Sequence, residues 1–310
     1  MRPDAGGESD LPGLDVVVAT RNRPELLRRA LDAIWEQTYR GHIRCIVVFD
    51  QAEPQPEIAR SSPSRTIEVT RNIRTPGLAG ARNSGILFGE AELVGFCDDD
   101  DEWLPTKVEK QVQSLLAVDA LTSVTGIFLD YGDRSVPRVP TAEQMTVRQL
   151  VRHRVVGAHA STVVVRRRAL VGPIGLVDEE IPGSYGEDFD WIVRAAQAGE
   201  VAVVSEPLVR VLRGQSMFSQ RWPMIIESID YSLAKHSLFH EDAQALGRLY
   251  GRKAFALAGL GRTGDSLRQV WRTLRVNPRE RRAYLAVAVA LRLVSAERLM
   301  NLAWRRGHGI

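Results

Sequence analysis

Cysteine is nearly absent. The 310 residues include two, Cys45 and Cys97, each inside an apolar segment, which excludes a disulfide framework and a cysteine-based zinc site and leaves two core thiols. No apolar run reaches the roughly 20 residues needed to cross a bilayer, the longest clean stretch being Ala283 to Leu291. The amino terminus lacks the basic-then-apolar pattern of a secretion signal, so the expected location is the cytoplasm. GxGxxG, a Walker loop, HExxH and GxSxG are all missing, which weighs against dehydrogenase, NTPase, metalloprotease and hydrolase chemistry. No internal repeat is evident.

What is present is an ordinary globular composition, 44% hydrophobic and 25% charged, enough for one large core or two smaller ones. The net charge of +3 hides a division. Residues 246–310 hold 14 Lys and Arg against 3 Asp and Glu, whereas residues 1–245 hold 27 against 35. An acidic body, net −8, is joined to a basic tail, net +11.

Residues 1–13, rich in Gly, Asp, Pro and Ser, read as a disordered leader. Leu14 to Ala19 and Ile43 to Phe49 are short β-branched runs, the pattern of strands covered on both faces. Pro24 opens a helix whose Leu27, Leu31, Ile34 and Trp35 recur at helical spacing. Thr66 to Thr70 is a more polar strand, Ala79 to Gly89 a helix, and Leu93 to Cys97 a buried strand running into Asp98, Asp99, Asp100 and Asp101. Thr106 to Val118 is the next helix. This alternation predicts an α/β fold, a mostly parallel Rossmann-like sheet with helices on both faces. Ligands then bind beyond the carboxyl ends of the strands, where Thr20 to Arg23, Asp50 and the acidic run fall. Further strands are expected at Ser123 to Tyr131, Ala160 to Val165, Val201 to Val204 and Leu208 to Leu212, with a loop over Gly132 to Thr146. Beyond Trp222 the pattern is helical. The expected division is 1–13, 14–222 and a basic helical region at 223–310.

Four adjacent carboxylates repel one another unless a cation or water screens them. Mg²⁺ and Mn²⁺ prefer oxygen ligands and leave positions open for substrate phosphates. A solvated turn capping the following helix is the plainer reading, and the position at the end of a buried strand favours the functional one. Glu187 and Asp188 follow a glycine-rich loop and precede an amphipathic helix from Phe189 to Ala198. Asp188 is either a helix cap or a general base. Trp191 reads equally as core, and His159 as a structural histidine.

The ordered segments VVVATRNRPELLRRALDAIWEQT, IVVFD, GLAGARNSGI, FCDDDDEWLPTKVEKQ and SYGEDFDWIVRAAQAG resemble those of the family 2 glycosyltransferases of GT-A fold, over Asp15 to Ser216. The resemblance implies inverting transfer of a sugar from a nucleotide diphosphate donor, UDP or dTDP favoured, with Mn²⁺ or Mg²⁺ as cofactor. It implies that Asp50 reads the base, that Thr20 and Arg21 line the first nucleotide loop, and that Arg82 lies over base and phosphates. Asp98 and Asp99 would then lie near the ribose and Asp100, with Asp98, would hold the metal, the register of the motif shifting by one at most. Asp188 matches the base, Glu187 its neighbour, and Arg210 or Arg213 the loop that closes over the diphosphate. The family usually shows two acidic residues after the second strand, and here Phe49 replaces the first. Gln220, Arg221 and Trp222 approach a processive signature with the wrong spacing.

Two other readings stand beside this one: a nucleotidyltransferase, whose glycine-rich phosphate loop is missing from ATRNRPE, and a catalytically inactive nucleotide-sugar binding module. Nucleic acid is not an expected partner, because the tail lacks interleaved aromatics. The expected acceptor is a glycan or lipid-linked sugar of the cell envelope. The arginine-rich tail suits peripheral contact at the inner face of the membrane, or else packing on the catalytic core or a homo-oligomer contact.

Overall fold

The computed structural model describes residues 11–132, 134–212 and 221–305. Residues 1–10 of the expected leader lie outside that range, as do Arg213, Gln220 and Arg306. The chain divides into two compact units, one of Met1–Leu150, Val155–Glu179 and Glu187–Gly214, the other of Val151–Arg154, Glu180–Gly186 and Gln215–Ile310.

In chain order the elements leading through the first unit are β1 (Leu14–Thr20), α1 (Pro24–Trp35), β2 (Ile43–Phe49), β3 (Arg60–Ser61), β4 (Arg65–Arg71), α2 (Leu78–Phe88), β5 (Leu93–Asp98), β6 (Asp101–Trp103), α3 (Lys107–Ala117), β7 (Thr122–Asp130), β8 (Ser135–Arg138), α4 (Val147–Arg152), β9 (Val164–Arg166), α5 (Arg167–Leu170), α6 (Glu187–Ala198) and β10 (Val201–Leu212). The strands form one sheet in the order β3-β4-β2-β1-β5-β9-β7-β10-β6, with β8 on β7. The pairs β4-β2, β2-β1, β1-β5 and β7-β10 are parallel. Strands β1, β2 and β5 are buried on both faces, as their continuous apolar runs require. Helix α1 starts at Pro24 and buries Leu27, Ala30, Leu31 and Ile34, one stripe at helical spacing. Helix α2 lies close on the sheet because Gly85 lacks a side chain: a Cβ there would meet Val17 Cγ1 at 2.4 Å. Cys45 and Cys97 are buried core thiols, each 1% exposed.

Three expectations are corrected. Ala160 to Val165 is not one strand: Ala160–Thr162 is a 3₁₀ turn and the strand begins at Val164. The Thr162 hydroxyl donates to the His159 carbonyl at 2.6 Å, a local bond that competes with a ladder. The expected loop over Gly132 to Thr146 contains β8, which folds back antiparallel on β7 through a turn where Gly132 has φ 88°. The segments at 201–204 and 208–212 are one strand, irregular around Pro207, which has no N–H to donate.

The second unit contains α7 (Trp222–Lys235), α8 (Ala243–Gly259), α9 (Thr263–Val276), α10 (Arg281–Ala290) and α11 (Ala296–Arg305). Its core gathers Ala254, Phe255, Ala258, Val270, Ala283, Ala286 and Val289. Small alanines let α8 and α10 pack closely. No helix among the described residues is long and apolar enough to cross a membrane.

Candidate active site

Parallel strands deliver their last residues to one edge of the first unit. Backbone in the left-handed region marks two of the exits, with φ 56° at Asn22 after β1 and 50° at Gln51 after β2, a strained conformation for non-glycine residues. A cavity of about 230 Å³ opens here, lined by Thr20, Asn22, Arg23, Phe49, Ala52 and Glu53 among others. Asp50 is 8% exposed. Its carboxylate accepts from Asn72 Nδ2 at 2.8 Å, the Gly77 N–H at 3.0 Å and Gln51 Nε2 at 3.0 Å. Burial pushes its pKa up, but these donors prevail and hold it below the usual value.

The acidic run splits by environment. Thr20 Oγ1 donates to Asp99 Oδ2 at 2.8 Å, and Arg23 Nη1 lies 3.1 Å from Asp99 Oδ1 and 3.0 Å from Asp100 Oδ2. Asp101, 1% exposed, points inward, where it accepts from Ser161 Oγ and lies 3.3 Å from His159 Nδ1. Asp98 receives Arg82 Nη2 at 2.6 Å and lies 3.9 Å from His159 Nε2. Asp100 has the most exposed carboxylate of the four in the run, 39%. Burial, with Asp98, Asp101 and Asp99 beside it, pushes its pKa up to about 6. Four carboxylates in so small a volume are short of positive charge.

Arg82 connects this run to the second acidic site. It is 4% exposed on α2, and its other nitrogen, Nη1, donates to Glu187 at the start of α6. Its charged form is held well above the ordinary range by Asp98 and Glu187 despite burial. Glu187 is pushed up by burial and by Asp188 and Asp98, against the pull of Arg82. Gly186, at φ 86°, turns the chain into α6, a conformation glycine takes without strain. Asp188 accepts from the Phe189 N–H at 2.8 Å. Trp191 is core, 4% exposed, and meets Phe96 edge-on at 6.1 Å.

Thr20, Asp50, Asp98, Asp99, Asp100, Arg82, Glu187 and Asp188 thus belong to one unit, the first five carried by the ends of β1, β2 and β5. Arg21 bears on Asp50 electrostatically. Arg210 is exposed on β10, its guanidinium carbon 5.7 Å from the Phe128 ring, and Arg213 lies outside the described residues. His159 has a larger place than a structural histidine: burial lowers its pKa, but Asp101, Asp98 and Asp188 raise it to about 9. One atom each of Asp98, Asp101 and His159 fall within 4.8 Å of one another. Oxygen donors with one imidazole fit Mg²⁺ or Mn²⁺. Arg23 lies in the loop expected at the strand ends, and its partner Asp99 is 76 positions away; Ser161, 60 positions from Asp101, has no local sequence signal of its place in the site.

The model of the family described as "Glycosyl transferase family 2" matches residues 15–171. An uncharacterized glycosyltransferase, YwdF of Bacillus subtilis, is 25% identical over 59% of this chain and 68% of its own. The Escherichia coli UDP-Glc:alpha-D-GlcNAc-diphosphoundecaprenol beta-1,3-glucosyltransferase WfgD is 22% identical over 57% and 66%. Staphylococcus aureus TarS 1-349, solved with UDP-GlcNAc, superposes with TM-score 0.60 at 15% identity, covering 96% of this chain and 92% of that one. The mannosyltransferase PcManGT of Pyrobaculum calidifontis, solved with GDP-Man and Mn²⁺, gives 0.55 at 16% identity, covering 94% and 84%. The last two likenesses show the GT-A fold.

Proposed function

The chain belongs to glycosyl transferase family 2, and from that premise we propose that it is an inverting, metal-dependent enzyme of cell-envelope glycan synthesis. Its donor is a nucleotide diphosphate sugar, UDP or dTDP favoured, and its acceptor a glycan or lipid-linked sugar. The observation that carries this reading is the convergence of the acidic run, Arg82 and Glu187, the run reached from the cavity at the ends of β1 and β2 through Thr20 and Arg23.

Asp50, Thr20 and Arg21 take the nucleotide half of the donor, with Asp99 on the ribose side. Asp100 and Asp98 would hold Mn²⁺ or Mg²⁺, with Asp101 and His159 adjoining. When bound, the ion supplies positive charge to the leaving diphosphate. Arg23, ion-paired to Asp99 and Asp100, adds a cation next to it, and Arg213 is the further arginine expected over the diphosphate. Asp188 receives the proton of the acceptor hydroxyl as that oxygen attacks the anomeric carbon from the face opposite the nucleotide. An ionised aspartate is basic enough, since the hydroxyl acidifies as its bond to carbon forms. Arg82 keeps Glu187 and Asp98 in register, so that base and donor site move as one.

Support for a lipid-linked acceptor comes from the diphosphoundecaprenol substrate named for the E. coli relative. Peripheral contact with the inner face of the membrane is part of the reading. Trp271 (59% exposed) and Tyr284 (56%), on α9 and α10, and Leu291 (54%) and Leu293 (77%), in the turn after α10, stand among arginines of the second unit. A thermal-shift panel of UDP, dTDP and GDP sugars with Mn²⁺ or EDTA tests the proposal: a ligand at 100 times its Kd stabilises by about 2.7 kcal/mol. Stabilisation by one nucleotide class, abolished by EDTA, is the expected result. No shift with any of them would overturn it.

A further inference from the structure

Asp50 takes two of its donors from a stretch of chain that has almost no apolar hold on the first unit. Asn72 and Gly77 bracket residues 73–76, all of which are exposed, Ile73 at 76%. With no side chain buried there, the hydrophobic effect cannot fix the path of this segment, and polar ties must. Asn72 supplies several. Its Oδ1 accepts from the Arg74 N–H at 2.9 Å and from Ser84 Oγ at 2.8 Å, and its Nδ2, besides serving Asp50, donates to the Thr75 carbonyl at 3.0 Å. Glycine at 80 lets the segment lie against α2, since a Cβ there would meet the Thr75 carbonyl oxygen at 1.9 Å.

A further tie is a carboxylate brought from 104 positions along the chain. Glu179 Oε1 accepts from Arg74 Nε and, at 2.6 Å, from Asn83 Nδ2, while Oε2 accepts from the Thr75 N–H at 3.2 Å. Asn83, 1% exposed on α2, fixes the stretch that carries Glu179: it donates to the Val177 carbonyl at 2.8 Å and accepts from the Val177 N–H at 2.9 Å. These donors hold Glu179 at a pKa of about 2 against the upward push of burial, so it is ionised at neutral pH. The residue before Asn83 is Arg82, which engages Asp98 and Glu187. Adjacent positions of α2 therefore serve the acidic run and the segment that flanks Asp50. On Asp50 itself, Asn72 Nδ2 and the Gly77 N–H both fall on Oδ1, and so set the orientation of the carboxylate.

We propose that Glu179 is a positioning residue for nucleotide recognition: its carboxylate holds segment 72–77 against α2 and, through Asn72 and Gly77, orients Asp50. The link from Glu179 to Asp50 stands on the hydrogen bonds, and only its service to a nucleotide rests on the glycosyltransferase reading. A carboxylate is the group that suits the position. Glutamine has the same shape but one oxygen, and whichever way its amide turns, the NH₂ faces a donor, either the Thr75 N–H or the side chains of Arg74 and Asn83.

Glu179→Gln in the full chain is the test, because it keeps the volume of the side chain and removes only the charge and one acceptor. Hydrogen exchange without ligand, resolved to single amides, reads the link. The Gly77 amide, which touches Asp50 and not Glu179, should exchange at least fivefold faster in the variant, with the amides of β1 unchanged. An unchanged Gly77 rate overturns the proposal, and so does an acceleration that spreads to β1, which marks general loosening. Calorimetry with UDP, dTDP and GDP in Mn²⁺ reads the consequence. The nucleotide that the wild type binds should bind at least tenfold more weakly to Glu179→Gln and to Asp50→Asn. The double variant should lose no more than a further twofold relative to Asp50→Asn, because the two residues act in series. Unchanged affinity in Glu179→Gln, or losses that multiply in the double variant, would leave Glu179 a purely structural part and overturn the proposal. A wild-type protein that binds none of the three nucleotides, while its Gly77 amide still responds to Glu179→Gln, refutes the glycosyltransferase reading and leaves Glu179 as the residue that orients Asp50.

Discussion

Replacing Lys107 by Met should stabilise the protein at neutral pH. Lys107 begins α3, is 0% exposed, and its Nζ lies 3.5 Å from the centroid of the Trp103 ring with no hydrogen-bond acceptor among the described residues. Burial pushes its pKa from 10.5 down to about 7, against a pull upward from Cys97. At about 1.36 kcal/mol per pH unit, the folded state at pH 7 carries a penalty on the order of 4 kcal/mol relative to a solvated lysine. A flexible apolar chain of similar length packs on Trp103 without that penalty, so Met recovers about 4 kcal/mol at pH 7. The unfolded chain keeps the proton up to pH 10.5 and the folded chain releases it near 7, so the unfolded state binds more protons in between. Wild-type stability therefore rises with pH across that window, and Lys107→Met lacks the rise. Urea unfolding at pH 7, 8.5 and 10 reads the difference, which cancels every other titrating group. The variant should lead by about 4 kcal/mol at pH 7 and by under about 1 kcal/mol at pH 10. A variant less stable at pH 7, or a gap that does not close with pH, would show that the ammonium has a partner and that the burial argument fails.

Asp188→Asn should lower the transfer rate by about 10² to 10⁴ with donor Kd unchanged; if Asp190→Asn shows the large loss instead, the base has been assigned two residues too early. Arg82→Met strands the buried Glu187 and the partly buried Asp98 and should cost about 3–5 kcal/mol in urea unfolding, whereas a loss under 1 kcal/mol would mean that neither carboxylate depends on it. The full chain should float with anionic liposomes at low salt and detach at high salt, each basic residue near the surface contributing about 1 kcal/mol. Leu291→Glu with Leu293→Glu should abolish flotation; a wild-type protein that does not float but sediments as a dimer assigns these side chains to a contact between copies.

The features legible in the sequence were those that depend on neighbours in the chain. Strands β1, β2 and β5 announce themselves because burial on both faces demands continuous apolar runs, and α1 because its stripe recurs every three or four residues from Pro24 onward. The acidic run could be placed at a strand end for the same reason. Pairings across long separations were not legible. Arg82 meets Glu187 across 105 positions, and nothing local at either residue tells of the other. His159 looked structural because Asp101 comes to it only through the order of the sheet, which sets β9 between β5 and β7. The strand β8 hid in a stretch with two prolines, which an edge strand tolerates. In the second unit the helices were readable, but Gly251 gave no sign that it admits Arg282 to the side of α8.

The central claim is that the acidic run holds a divalent cation for a nucleotide diphosphate donor, and calorimetric titration of UDP into the wild-type protein and Asp100→Asn tests it most directly. Asp100 is the carboxylate that burial and three like charges push up to about 6, so its neutral replacement should relieve repulsion and leave the fold intact. The account predicts Mn²⁺-dependent UDP binding by the wild type, at least tenfold weaker binding by Asp100→Asn, and a Tm no lower in the variant. Equal affinity in the two proteins, with and without Mn²⁺, would contradict it.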